Sequence, residues 1–174
     1  TNPFATNYNS VAEEDDGSCT YLVIGQEYQG GILAYILQQG DPGYDPSTKH
    51  GLIAAPYDQS TGADWGCSGT FISGADGIAI YSGYQNTQDI IIGCTDLNTA
   101  ASICNDLVIG GYSDWYLPSK NELNALFLNK TAIGGFNDAY YWTSTEINEE
   151  YAYSQHFGTG AIGTGWPDGY GAKN

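Results

Sequence analysis

The chain of 174 residues contains no arginine, and its only lysines are Lys49, Lys120, Lys130 and Lys173. Against 20 Asp and Glu they leave a formal net charge of -16. Phosphate and sulfate groups are held by cations, so nucleic acids, heparin-like polymers and anionic membranes are poor partners for such a surface. A cation, a neutral glycan or a basic protein suits it better. Methionine is also absent and no signal peptide is visible, which predicts a processed or trimmed piece of a longer protein. No apolar run approaches the roughly 18 residues of a membrane span, so membrane insertion is not expected. There is no CxxC pair and no Cys/His cluster. The cysteines at 19, 67, 94 and 104 therefore do not read as a zinc site.

The chain has instead 24 glycines, 15 tyrosines and 4 tryptophans, with 41% hydrophobic residues and only 14% charged ones. The hydrophobic share is that of a globular chain, and the charged share lies well below the usual ~25%. Such a surface is built from Gly, Ser, Thr, Asn, Gln and Tyr. Together with the scattered cysteines it reads as extracellular. The length fits one domain, or one domain with a short module attached.

Residues 1–21 stand apart. They carry Asn2, Asn7, Asn9, Glu13, Glu14, Asp15 and Asp16 ahead of Gly17-Ser18-Cys19, and are too few to bury a core of their own. The main domain spans 22–174. Strands are expected at 21–24, 31–37 and 51–55, with turn chemistry at Asp41-Pro42-Gly43 and Asp45-Pro46-Ser47. Residues 58–84 form a long Gly-, Ser- and Asp-rich segment, of the kind held down by cross-links, ions or function.

Three helices are predicted next. The first runs over 87–93 behind an Asn86 cap. The second, capped by Asn98 or Thr99, has a stripe of Ala100, Ile103, Cys104, Leu107 and Val108. The third opens on a capping box, Ser119 to Glu122, with Leu123, Leu126 and Phe127 facing the core. Strands follow at 140–144 and 151–157. Residues 158–174 are Gly-rich and need no regular strand.

The run Gly110-Gly111-Tyr112-Ser113-Asp114-Trp115-Tyr116-Leu117-Pro118-Ser119, then Glu122-Leu123, then Tyr141-Trp142-Thr143-Ser144-Thr145-Glu146 resembles the domain at the C-terminus of the legionella collagen-like adhesin. Gly30-Gly31-Ile32, Gly51-Leu52-Ile53-Ala54-Ala55 and Trp65-Gly66-Cys67 belong to the same ordered set, which extends the resemblance over 22–174. The resemblance implies an α+β, C-type-lectin-like fold of small antiparallel sheets, about three short helices and long ordered loops. It also implies display on secreted or surface proteins and fibres, and a final strand beyond residue 174. Sulfated glycosaminoglycans, the ligands of that adhesin, do not carry over to a chain without arginine. Residues 1–21 resemble a second motif, a short bacterial surface repeat ending in Asp15-Asp16-Gly17-Ser18-Cys19.

Candidate sites follow from these readings. Asn7, Asn9, Asp15 and Asp16 offer hard oxygen ligands beside Gly17, and calcium is the expected cofactor there. Asp58, Asp64, Asp76 and Asp89 are a further set that can order the long segment around an ion. Trp65, Trp115 and Trp142 are expected to be structural. Trp166 and Tyr170 sit in a Gly-rich stretch that no core stripe claims. They are the expected stacking anchors of a ligand, with Asp168 and Asn148 as polar partners. Cys104 lies in the apolar stripe and is expected to be unpaired, which leaves Cys67 and Cys94 for a disulfide.

His50 and His156 lack a neighbouring nucleophile motif, so no enzyme is expected. The sequence thus predicts an extracellular or cell-surface adhesin module for a glycan or another surface ligand. The alternative is a structural subunit of an extracellular fibre, with identical subunits as partners.

Overall fold

Buried and part-buried side chains along Gly31–Ile36 make this segment the central strand of a first sheet. The computed structural model describes residues 21–163 and residue 173. Its elements in chain order are β1 (Glu27–Tyr28), β2 (Gly31–Ile36), β3 (Gly51–Ala54), α1 (Ser82–Gly93), α2 (Ala100–Asn105), α3 (Lys120–Leu128), α4 (Lys130–Ile133), β4 (Tyr140–Glu146), β5 (Ala152–His156) and β6 (Ile162–Gly163). Two antiparallel three-stranded sheets result, ordered β1-β2-β3 and β4-β5-β6. This is an α+β fold of C-type-lectin-like kind.

The main core forms around Trp65, whose side chain is fully buried among Ile72, Ile90, Ala101, Leu117 and Ala152. Burying an isoleucine such as Ile90 contributes about 1.5–3 kcal/mol. A second cluster joins Leu37 and Leu52 to Ile80 and Ala125, and a third joins Ala34 and Ala54 to Ile133. The last two tie the first sheet to α3 and α4.

The long segment before α1 has little regular structure and is fixed by other means. A disulfide joins Cys67 to Cys94, with Cα atoms 5.6 Å apart. The end of β4 supplies the rest. Thr143, Ser144, Thr145 and Glu146 are all buried, against the alternation that a half-exposed strand would show. They are polar because they face loop backbone. Thr145 Oγ1 donates to the Gly77 carbonyl, the Glu146 N–H donates to the Ala75 carbonyl, and the Glu146 carboxylate accepts from the Ile72 N–H. The Trp65 indole N–H donates to the Thr143 carbonyl at 2.8 Å. Among the described residues no buried side-chain polar atom is left without a partner.

Several elements differ from expectation. Residues 21–24 are not a strand: the Gln26 N–H bonds back to the Val23 carbonyl, and pairing starts only at β1. Helix α1 begins at Ser82, so Asn86 is inside it and not its cap. Its buried side-chain amide donates to the Gly77 carbonyl and to Ser144 Oγ. Tyr81 starts the helix in the left-handed region at φ 70°, its N–H bonded to Glu122. Helix α2 is capped by Thr99 and stops at Asn105, which leaves Val108 65% exposed. The stop follows from the Ile109–Tyr112 bridge, which turns the chain through Gly110 and Gly111. The single-turn α4 makes a fourth helix, too short to show a periodic signal. The capping box of α3 is present in full.

Candidate binding cleft

A cleft of about 1370 Å³ opens between β3, the loop 57–63, the end of α2, the segment 112–118 and the stretch 135–142. It exceeds the ~300–1,000 Å³ of a drug-sized pocket and suits an extended ligand.

One wall starts from a tightly held loop. Gln59 Nε2 donates to the Tyr57 carbonyl, and Ser60 Oγ donates to the Gly62 carbonyl. Tyr57 is left 59% exposed. The next residue, Asp58, is fixed from across the cleft. Tyr141 Oη donates to its carboxylate at 2.9 Å and Asn137 Nδ2 donates at 2.6 Å. The Asn137 N–H in turn donates to Tyr141 Oη at 2.8 Å. Burial first, and the Asp58 carboxylate second, push the Tyr141 phenol up to about 12. Tyr141 also packs against Phe136 and Phe157, with ring centroids at 5.6 and 4.6 Å, so the network rests on a rigid aromatic base.

The second wall is set by glycines. Gly30 has φ +84° and Gly110 φ +62°, and a Cβ on Gly30 would lie 2.7 Å from the Ile109 carbonyl oxygen. A Cβ on Gly31 would lie 2.8 Å from the Trp115 ring. Trp115 can therefore lie against β2, its indole N–H donating to the Tyr112 carbonyl at 3.1 Å. Tyr112 remains 38% exposed, and Asp114 between them is exposed. Behind this wall Glu122 is buried, accepting from the Tyr81 N–H, the Ser119 N–H and Tyr116 Oη. Burial first, then Glu122, raises the Tyr116 phenol far above its ordinary value.

At the far end stand Asp138 and His156. Their nearest polar atoms are 3.4 Å apart. His156 Nδ1 accepts from the Gly158 and Thr159 N–H groups at 3.1 and 3.3 Å. Cys104 also lines the cleft. It is free, and burial pushes its thiol up to about 11. Exposed rings and carboxylates suited to holding a ligand are brought together here.

The residues singled out in the sequence fall in other places. Asn7, Asn9, Asp15, Asp16, Trp166, Asp168 and Tyr170 lie outside the described residues. Asn148 is exposed, and its Oδ1 accepts from the Glu150 and Tyr151 N–H groups to close the β4–β5 turn. Trp65 and Trp142 are structural, the latter donating its indole N–H to the Ala63 carbonyl. Asp58, Asp64, Asp76 and Asp89 are not gathered around a common point. Among the described residues the group of three metal-ligand types is Cys67, Cys94 and Asp96, and both sulfurs are in the disulfide. Tyr57 escaped the sequence reading, while Asp58 was read as an ion ligand and Tyr112 only as part of a family motif, because none of the three belongs to a periodic stripe. The available signal was the order of the motifs themselves, since Asp114 and Trp115 lie inside the longest one.

Among the described residues no helix is long and apolar enough to cross a membrane. No curated protein matches the chain. Residues 55–172 match the family described as the Lcl C-terminal domain, an adhesin-related surface family and not an enzyme family. The first sheet lies upstream of that match, yet it packs on the matched part through Ile133 and through Asn129 Nδ2, which donates to the Ala34 carbonyl. The chain belongs to the Lcl C-terminal domain family.

Proposed function

We propose that this domain is a surface-displayed adhesion module that holds a glycan along the cleft and does no chemistry on it. The observation that carries the reading is the pairing of partly exposed rings, Tyr57 and Tyr112, with carboxylates in one extended cavity. Ring faces stack on the apolar faces of sugars, and fixed carboxylates accept from hydroxyl groups. A sulfated polymer is disfavoured by how the lysines are used. Lys173 is paired with Glu146, Lys130 donates to the Phe157 and Gly158 carbonyls, and Lys120 sits over the Tyr153 ring.

A glycan array run on wild type, Tyr57→Ala and Trp166→Ala tests the reading. Loss of about ten-fold in affinity with Tyr57→Ala supports the cleft, since a stacking anchor carries roughly 1–2 kcal/mol. Loss with Trp166→Ala alone moves the recognition face to residues 151–170. Calcium at Asn7, Asn9, Asp15 and Asp16 rests on the sequence pattern, and melting with and without EDTA decides it.

A second reading, self-assembly into a fibre, is favoured by Ile92 and Leu97 near the end of α1, which are 82% and 87% exposed. Sedimentation of the isolated domain distinguishes it, because a structural subunit associates with itself where a lone adhesin module does not.

A further inference from the structure

The charge of the cleft narrows the class of ligand, provided the cleft is the glycan site proposed above. Its lining includes Asp58, Asp114 and Asp138 and no lysine. Asp58 is held by two neutral donors, Tyr141 Oη and Asn137 Nδ2, so its position is fixed while its charge stays uncompensated. Asp114 is exposed and has no hydrogen bond to any described residue. Glu122, buried behind the wall, is likewise satisfied only by neutral donors.

A second feature points the same way. The faces of Tyr57, Tyr112 and Trp115 carry negative electrostatic potential and attract a cation. Carboxylates and rings together therefore favour a positively charged ligand over a neutral one. Rings exposed beside hydrogen-bonding Asp and Tyr groups suit a sugar chain better than a basic peptide.

We infer that the cleft selects a cationic amino-polysaccharide, one whose sugar units bear free ammonium groups. The ammonium groups meet Asp58, Asp114 and Asp138 while sugar faces lie on Tyr57 and Tyr112. Each contact is a charge-assisted hydrogen bond, stronger than the hydroxyl contact that a neutral unit would make.

The test is titration calorimetry on the full chain with three probes: a β-1,4-linked glucosamine oligomer, its fully N-acetylated counterpart, and an oligolysine of equal charge. Mildly acidic buffer keeps the sugar amines protonated. The glucosamine oligomer is expected to bind about ten-fold or more tighter than the acetylated one, with the gap shrinking as salt is raised. Asp114→Asn, and Asp114→Asn with Asp138→Asn, should narrow the gap, and both sites are exposed enough to leave folding intact. Asp76→Asn, an exposed acid outside the cleft, should leave the gap unchanged. Equal binding of the two sugar oligomers overturns this inference and leaves the glycan reading standing. An equal narrowing by Asp76→Asn overturns it in favour of the overall charge. Oligolysine binding as tightly as the sugar overturns the saccharide class. Binding of none of the probes overturns this inference and counts against the glycan reading as well.

Discussion

Lys173 and Glu146 form an ion pair in which neither side chain has exposed surface. Lys173 Nζ also donates to the Thr70 carbonyl at 2.7 Å and lies 4.7 Å from the centre of the Trp65 ring. The Glu146 carboxylate accepts from the Ile72 N–H. One residue near the end of the chain thus closes the long loop over the main core.

Removing one partner leaves a buried charge uncompensated. Lys173→Met should cost about 3–5 kcal/mol in urea unfolding. Lys173→Met combined with Glu146→Gln should cost less than the two single changes added together, because the stranded charge is gone. A loss below about 1 kcal/mol for Lys173→Met would show that the pair is not holding the loop.

The sulfur chemistry gives a second prediction. Reducing the Cys67–Cys94 disulfide should destabilise the domain by about 3.5 kcal/mol, as expected for a loop of this length. Cys104 should resist alkylation in the native state. With its thiol at about 11, roughly one molecule in a thousand carries the thiolate at pH 8. Native labelling as fast as labelling in urea would contradict the burial of this side chain.

Much of this fold was legible because it is written in short-range chemistry. The Ser119–Glu122 capping box, the Thr99 cap and β2 followed from adjacent residues. The start of α1 did not, because it depends on Glu122, 41 positions away from Tyr81 in sequence. Asn86 reads locally as a cap, yet its amide is used by Gly77 and by Ser144 on β4. The cleft was the least legible part. Asp58 acquires its role only when the sheet brings Tyr141 to it, 83 positions along the chain.

That Asp58–Tyr141 contact makes a third prediction, about alkaline pH. Burial first, then Asp58, hold the Tyr141 phenol at about 12, against ~10 for an unfolded tyrosine. The neutral phenol is therefore favoured in the folded state. Its stabilising effect is fully present below about pH 10 and is lost as pH rises through about 12. Phenolate absorbance should show a group titrating near 12, ahead of the more strongly raised Tyr116, that is missing in Tyr141→Phe. Asp58→Asn should move that group part of the way back, since burial, the larger cause, is unchanged. A titration curve identical in wild type and Tyr141→Phe would refute the assignment.

The last prediction concerns the glycines that let Trp115 reach β2. A Cβ on Gly31 would lie 2.5 Å from the Ala54 carbonyl oxygen and 2.5 Å from Ile53 Cγ2, as well as 2.8 Å from Trp115. The Ala54 oxygen belongs to the paired strand β3 and cannot swing aside as a side chain can. Gly31→Ala should therefore destabilise by roughly 1–3 kcal/mol through overpacking, and weaken ligand binding by shifting Trp115. Gly62→Ala is the matched control. Nothing lies within 4 Å of its added methyl and its backbone is not in the left-handed region. That change should be neutral or slightly stabilising, because alanine narrows the unfolded ensemble. Both proteins can be compared by urea unfolding and by Trp fluorescence. If Gly31→Ala matches Gly62→Ala in both, the close approach of Trp115 to β2 does not shape the cleft wall.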